Sequence, residues 1–119
     1  MVGFAGYAMP VQYPTGILTE HLHTRAAAGL FDVSHMGQVR ITGPDPARAL
    51  ERLVPGDIGA LAISRMRYTQ FTNDAGGILD DLMVTRREGD LFLVVNAGCK
   101  EQDFAHLQAG LPECKVEIL

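Results

Sequence analysis

Three strand-forming stretches separated by short polar turns constrain the fold of this chain more than any other feature. The stretches cover residues 67–72, 78–85 and 91–95 and are rich in β-branched and aromatic side chains, which favour strands. Residues 73–77 (NDAGG) join the first pair, and residues 86–90 (RREGD) join the second. Turns this short connect antiparallel neighbours, so the sequence predicts a three-stranded antiparallel meander.

An irregular segment and a helix are predicted before the meander. Residues 1–14 contain two glycines, two prolines and three aromatic side chains, a composition typical of an irregular, packed lead-in. Apolar residues recur at three-to-four spacing from residue 17 to about residue 28, which predicts a helix with one packed face. Thr15 offers an N-cap to this helix, which is expected to span about residues 17–28.

The remaining elements complete an α+β pattern. Residues 36–42 alternate between apolar and polar side chains, the period of a half-buried strand. Asp45 then offers an N-cap to a helix that has Pro46 at its first position, where the missing N–H is not needed. A third helix over residues 100–109 and a final strand over residues 115–119 follow. The predicted fold class is α+β, a mainly antiparallel sheet with helices packed on one face.

Composition and charge exclude several classes of function. The 119 residues fit a single compact unit, and a formal charge of -4 offers no electrostatic footprint for nucleic acid or an anionic membrane. No stretch approaches the roughly 20 apolar residues that a membrane span needs. Cys99 and Cys114 show no CxxC pattern, which is typical of reduced, part-buried thiols.

Two groups of polar residues are of the types found in metal sites and catalytic triads, but their spacing does not favour either kind of site. His21 and His23 lie two apart on a predicted helix and point in different directions, so no metal site is expected. Asp32, Ser34 and His35 are the residue types of a nucleophilic triad, but neighbours in one short segment rarely reach triad geometry. A turn stabilised by polar side chains is the favoured interpretation of this segment.

Two adjacent carboxylates inside an apolar strand are the strongest sign of chemistry. Successive strand side chains point to opposite faces, so Asp80 and Asp81 must face opposite sides of the sheet. At least one of them is expected to face the packed side or a pocket, which is costly unless it finds donors or a cation. The sequence leaves two explanations of such a carboxylate equally open, a structural hydrogen-bond partner and a bound ligand. Nearby, Tyr68, Met36 and Asn96 have side chains suited to a pocket for a planar heterocycle.

Six blocks of residues spread over the whole chain carry a more specific pattern. In order they are Phe4-Ala5-Gly6-Tyr7 with Met9-Pro10-Val11-Gln12-Tyr13, Leu30-Phe31-Asp32-Val33-Ser34-His35-Met36-Gly37, Arg67-Tyr68-Thr69, Phe71-Thr72-Asn73, Gly76-Gly77-Ile78-Leu79-Asp80-Asp81-Leu82 and Val95-Asn96-Ala97. Together they closely resemble the aminomethyltransferase, or T-protein, family of the glycine cleavage system. Two departures are Ser64, where a glycine is common, and Gln70, which replaces an apolar residue. Neither is expected to touch the chemistry.

The resemblance implies a tetrahydrofolate-dependent enzyme of glycine catabolism and one-carbon metabolism. The family accepts the aminomethyl group carried on the lipoyl arm of the H-protein and transfers the one-carbon unit to tetrahydrofolate as 5,10-methylene-tetrahydrofolate. Ammonia is released, and the dihydrolipoyl H-protein is left. The resemblance implies that Asp81 is the catalytic carboxylate, which orients a folate N–H and stabilises positive charge on the departing amine. Asp80 would point away in a structural role. The residues implied to line the folate site are Met36, Tyr68, Met83 and Asn96.

The extent of the resemblance defines the expected domain and its alternatives. Family members are much longer, so residues 1–119 are expected to form the N-terminal part of a folate-binding domain. The apolar strand at 116–119 is then expected to leave a hydrophobic edge, with marginal stability or self-association.

The alternatives are a folate-binding module without aminomethyl transfer, a demethylase relative acting on sarcosine or dimethylglycine, and an inactive fragment. The lack of a transit-like leader favours the cytoplasm, or the mitochondrial matrix if a leader was removed.

Overall fold

A five-stranded antiparallel sheet with helices forms the larger part of the structure. The computed structural model describes residues Met1–Leu119, which divide into two units, residues 1–35 and residues 36–119. In chain order the elements are β1 (Val2–Phe4), β2 (Tyr7–Met9), α1 (Ile17–Ala26), β3 (Gly37–Thr42), α2 (Pro46–Leu50), β4 (Met66–Thr72), β5 (Ile78–Arg87), β6 (Asp90–Val95), α3 (Lys100–Gly110) and β7 (Lys115–Ile118).

The first unit differs from the prediction in its strands and in the cap and packing of its helix. β1 and β2 form a hairpin where an irregular segment was expected, because Ala5 and Gly6 both have positive φ angles, 49° and 84°, as a tight primed turn requires. Helix α1 begins at Ile17, as predicted, but its N-cap is Gly16 and not Thr15, and no side chain caps it. The expected packed face is also wrong, since none of the residues of α1 is buried. Its apolar side chains, such as Leu18 and Leu22, remain more than half exposed.

The second unit follows the predicted order of elements. Its strand order is β4-β5-β6-β3-β7, and the β4-β5-β6 meander is antiparallel as expected. Strands β5 and β6 extend further into the polar turn than predicted, which leaves only Glu88 and Gly89 between them. Asp45 caps α2 as predicted, with its Oδ1 accepting a hydrogen bond of 3.1 Å from the Arg48 amide.

One face of the sheet carries the core. The inward residues of β3, β5 and β6 and the apolar residues of α2 and α3 pack into one cluster, and Val39, Leu93 and Leu107 are fully buried in it. Each such side chain contributes about 1.5–3 kcal/mol of hydrophobic stabilisation. The predicted α+β fold class is therefore confirmed. The opposite face is half-exposed, and it carries the polar residues described below.

Two smaller features correspond to sequence expectations. β7 lies at an edge of the sheet, and its Ile118 is 47% exposed, which is the apolar edge that the sequence predicted. Ser64, which stands where the resembling family commonly has glycine, has a φ of 64°, a left-handed conformation that favours glycine. No helix of the structure has the length and apolar character needed to cross a membrane.

Candidate active site

The candidate site lies on the half-exposed face of the meander. In the β4-β5 register Asp81 stands opposite Gln70, and Met83 stands opposite Tyr68. Residues paired across antiparallel strands point to the same face, and positions two apart on one strand do so as well. Asp81, Met83, Tyr68 and Gln70 therefore share one face. Gln70, which was expected to lie away from the chemistry, is the cross-strand neighbour of Asp81 in this register.

Both carboxylate oxygens of Asp81 are held by a hydrogen-bond donor. The Tyr68 hydroxyl donates to Asp81 Oδ2 over 2.9 Å, and the Asn96 side-chain amide donates to Asp81 Oδ1 over 2.6 Å. Hydrogen bonds to a carboxylate are stronger than those between neutral groups, so the two bonds fix the direction of the side chain. Each oxygen retains a further lone-pair position for another donor.

Asn96 connects the two adjacent aspartates. It follows the last residue of β6, Val95, which pairs with Leu82 of β5. Its Nδ2 lies 2.6 Å from Asp81 Oδ1, 3.0 Å from Asp80 Oδ1 and 3.2 Å from the Asp81 carbonyl oxygen. All three partners are acceptors, so only the NH2 group can face them, and its two hydrogens must be shared. The carbonyl oxygen of Asn96 is the atom left for a ligand.

Asp80 faces the opposite side of the sheet from Asp81, as the alternation predicted. It pairs with Phe71, whose side chain is buried in the core. Burial alone would raise the pKa of Asp80, but hydrogen bonds from Asn96, the Asp81 backbone and neighbouring side chains outweigh it and lower the pKa below its usual value. Asp80 is thus an ionised acceptor on the helix side of the sheet.

Two residues of the site come from the start of α3 and were missed in the sequence. Asp103 is 1% exposed, and its side chain contacts that of Asp80. Burial, the hydrogen bond with Asp80 and the charges of Asp80 and Asp81 raise the pKa of Asp103 to about 7. The charge of Asp80 and burial raise the pKa of the Cys99 thiol. The available signal was spacing, because Asp103 precedes Leu107 by four residues and so belongs to the inner stripe of the helix.

The two methionines are placed by strand pairing. Met83 is half-buried and lies two residues beyond Asp81 on the same face. Met36 immediately precedes Gly37, which pairs with Val95, so Met36 lies at the same end of the sheet as Asn96. The structure therefore joins Asp81, Tyr68 and Asn96 by hydrogen bonds, sets Met83 beside them, and brings Met36 only to the neighbouring strand end.

The Asp-Val-Ser-His segment forms a local turn. Asp32 Oδ1 accepts hydrogen bonds from the Ser34 hydroxyl over 2.6 Å and from the Ser34 amide over 2.9 Å, and these bonds lower the pKa of Asp32. The His35 ring stands edge-on to those of Phe4 and Tyr7. Ser34 thus donates to the aspartate and not to the histidine, which confirms the polar turn as the correct interpretation of these residues.

Fold and site together define a class of protein. It is an α+β domain whose half-exposed sheet face presents a carboxylate held by a tyrosine and an asparagine. The sequence model of the GCVT N-terminal domain family matches residues 1–119, the whole of the chain. The chain therefore belongs to this family of glycine cleavage T-proteins, as the six sequence blocks predicted.

Individual relatives agree with this assignment. The chain is 49% identical over 115 residues to the mitochondrial aminomethyltransferase of Dictyostelium discoideum, covering 97% of this chain and 28% of the relative. It is 52% identical over 109 residues to the human mitochondrial aminomethyltransferase, covering 91% of this chain and 27% of the relative. The crystal structure of the glycine cleavage system aminomethyltransferase T from Bartonella henselae superimposes with a TM-score of 0.93 at 45% identity, over 99% of this chain and 34% of that one. The chain thus spans about a third or less of these relatives.

Proposed function

We propose that this chain supplies the reacting-site carboxylate of a tetrahydrofolate-dependent aminomethyltransferase of the glycine cleavage system. In this proposal residues 1–119 are the N-terminal part of the folate-binding domain. The substrates are the aminomethyl group on the lipoyl arm of the H-protein and tetrahydrofolate, and the products are 5,10-methylene-tetrahydrofolate, ammonia and the dihydrolipoyl H-protein. The compartment is the cytoplasm in a bacterium or the mitochondrial matrix in a eukaryote.

One observation carries the proposal. The Asp81 carboxylate is held by one donor on each oxygen, from Tyr68 and from Asn96, on a face that solvent reaches. The two bonds orient the carboxylate and leave each of its oxygens able to accept from a ligand on that face. Relatives that carry the name aminomethyltransferase support the same assignment from the sequence.

The residues around Asp81 fit a planar, N–H-bearing ligand. Met83 and the ring of Tyr68 offer apolar surface, and the Asn96 carbonyl and the remaining lone pairs of Asp81 offer acceptors. Tetrahydrofolate supplies the nitrogens that take up the one-carbon unit. Asp81 orients an N–H of that ligand and stabilises positive charge where the amine departs, and Tyr68 and Asn96 hold it in that direction beforehand. Met36 borders the site from the end of β3.

The test is Asp81→Asn in the protein as expressed from its own gene, with ammonia release measured from aminomethyl-loaded H-protein and tetrahydrofolate. The variant keeps the size of the side chain and removes its charge, and a loss of about 10²–10⁴ in kcat is expected for a group of this kind. Asp74→Asn is the matched control, because Asp74 is exposed in the turn of the same hairpin. Its activity should equal that of the wild type.

Other outcomes separate the alternatives. A loss smaller than threefold in Asp81→Asn would remove the role assigned to that carboxylate. Wild-type protein that binds tetrahydrofolate in calorimetry but releases no ammonia would indicate a folate-binding module. Demethylation of sarcosine or dimethylglycine in place of aminomethyl transfer would indicate a demethylase. A protein that shows no tetrahydrofolate binding and no turnover would be an inactive fragment.

A further inference from the structure

Two carboxylate oxygens next to the candidate site are buried without a donor. They are Asp80 Oδ2 and Asp103 Oδ2, and neither has a hydrogen-bond partner when both groups are ionised. Asp103 is 1% exposed, so solvent does not compensate for the missing partner. Buried polar atoms nearly always have a partner, and two such atoms on two contacting carboxyl groups therefore require an explanation.

A single shared proton satisfies both oxygens. Two contacting carboxylates repel each other when both are charged, and protonating one converts an acceptor into a donor toward the other. The same principle operates wherever two carboxyl groups share one site. No movement of the backbone is needed, because the two side chains are already in contact.

The environment of the two groups decides which of them carries the proton. Asp80 accepts from the Asn96 amide, the Asp81 backbone and the Cys99 thiol, all of which favour its charged form. The carboxylates of Asp80 and Asp81 both disfavour a further negative charge on Asp103. The titratable groups three residues before and after it on α3 are Lys100 and His106, and the His106 ring packs edge-on against Phe71. The first turn of α3 favours an anion at Asp103, but burial and the two carboxylates outweigh that effect. The proton therefore belongs on Asp103.

We propose that Asp103 is a protonated positioning residue, which donates a hydrogen bond to Asp80 and thereby maintains the chain of contacts from Asp80 through Asn96 to Asp81. Asn96 Nδ2 divides its two hydrogens among Asp80 and Asp81. If Asp103 ionises, repulsion displaces Asp80, and the amide that holds Asp81 loses one of its anchors. The expected effect on activity rests on the function proposed above, whereas the shared proton between Asp103 and Asp80 does not depend on that function.

The experiment uses the protein as expressed from its own gene, labelled with ¹³C at the aspartate carboxyls, and follows these resonances by NMR from pH 5 to pH 9. Asp103→Asn is the central variant, because its amide donates to Asp80 at every pH. Asp103→Ala removes the donor altogether, and Asp74→Asn is the exposed control. Ammonia release in the proposed reaction is measured over the same pH range.

In the wild type we expect one carboxyl to titrate near neutral pH and the Asp81 resonance to shift with the same midpoint. Both changes should be absent in Asp103→Asn and retained in Asp74→Asn. Activity of the wild type should fall by more than threefold above that midpoint, whereas Asp103→Asn should show no such fall. Asp103→Ala should displace the Asp81 resonance at all pH values, and if it does not fold, Asp103→Asn alone decides.

Three results would overturn the proposal. An Asp103 carboxyl that is ionised throughout the range shows that no proton is shared. A titration of Asp103 that leaves the Asp81 resonance unmoved removes the positioning role, as does an unchanged pH profile in Asp103→Asn. If the wild type neither binds tetrahydrofolate nor releases ammonia, the proposed function fails, and the resonances of Asp103 and Asp81 still decide the proton and its coupling.

Discussion

Folding stability is expected to decrease from pH 5 to pH 7, with Asp103 as the cause. The folded-state pKa of Asp103 is raised from 3.8 to about 7. Between these values the folded protein binds a proton that the unfolded chain lacks, so the stabilisation is complete below the unfolded pKa and is lost as the pH rises through the folded pKa. At about 1.4 kcal/mol per pH unit, flattening near the folded pKa, the loss from pH 5 to pH 7 is about 2 kcal/mol. The lowered pKa of Asp80 lies below this range and does not offset the loss.

Urea unfolding at fixed pH values between 5 and 8 measures this effect. Asp103→Asn cannot ionise and still donates to Asp80, so its unfolding free energy should lack the decrease of about 2 kcal/mol. The difference between the variant and the wild type removes the contribution of every other ionisable group, because the two proteins share those groups. Asp74→Asn should retain the wild-type slope. Parallel stability curves for the wild type and Asp103→Asn would refute the reasoning, because they would show that folding does not take up a proton at Asp103.

Three further substitutions test the site and the core. Tyr68→Phe removes the hydroxyl that donates to Asp81 and should lower kcat/KM of the proposed transfer about tenfold without changing the urea midpoint, and an unchanged kcat/KM would make that bond dispensable. Gly37→Ala places a Cβ 2.6 Å from the nearest side-chain carbon and should destabilise the fold by about 1–3 kcal/mol, whereas Gly98→Ala meets no atom within 4 Å and should not. Leu93→Ala should cost about 2–5 kcal/mol in urea unfolding, and a cost below about 1 kcal/mol would contradict its place in the core.

The parts of the fold that could be predicted are those with a local physical signal. In β3 each second residue is buried in the core, so Val39 and Ile41 alternate with polar neighbours and reveal the strand. The β1-β2 hairpin lacks this signal, because its strands have only three residues each and bury none of them. The order of the strands in the sheet also has no local signal, because it depends on pairing between residues that are far apart in the sequence. The salt bridge of 2.6 Å between Arg40 and Glu117 joins β3 to β7 across 77 positions, and no pattern in the sequence marks that pairing.

The residues of the candidate site also differ in whether a local pattern in the sequence marks them. Asp81, Tyr68 and Asn96 all lie in or beside one meander, so strand alternation and two short turns are enough to bring them together. Asp103 belongs to a different element, and its contact with Asp80 arises only when α3 packs on the sheet. Three identical side chains thus have three different environments, in which Asp81 is oriented by two donors, Asp80 is an ionised acceptor, and Asp103 has a pKa of about 7. Strand periodicity fixes the direction of a carboxylate, but its charge depends on which groups the tertiary structure places against it. Inferring chemistry from such a cluster therefore requires the packing of α3 as well as the pattern of β5.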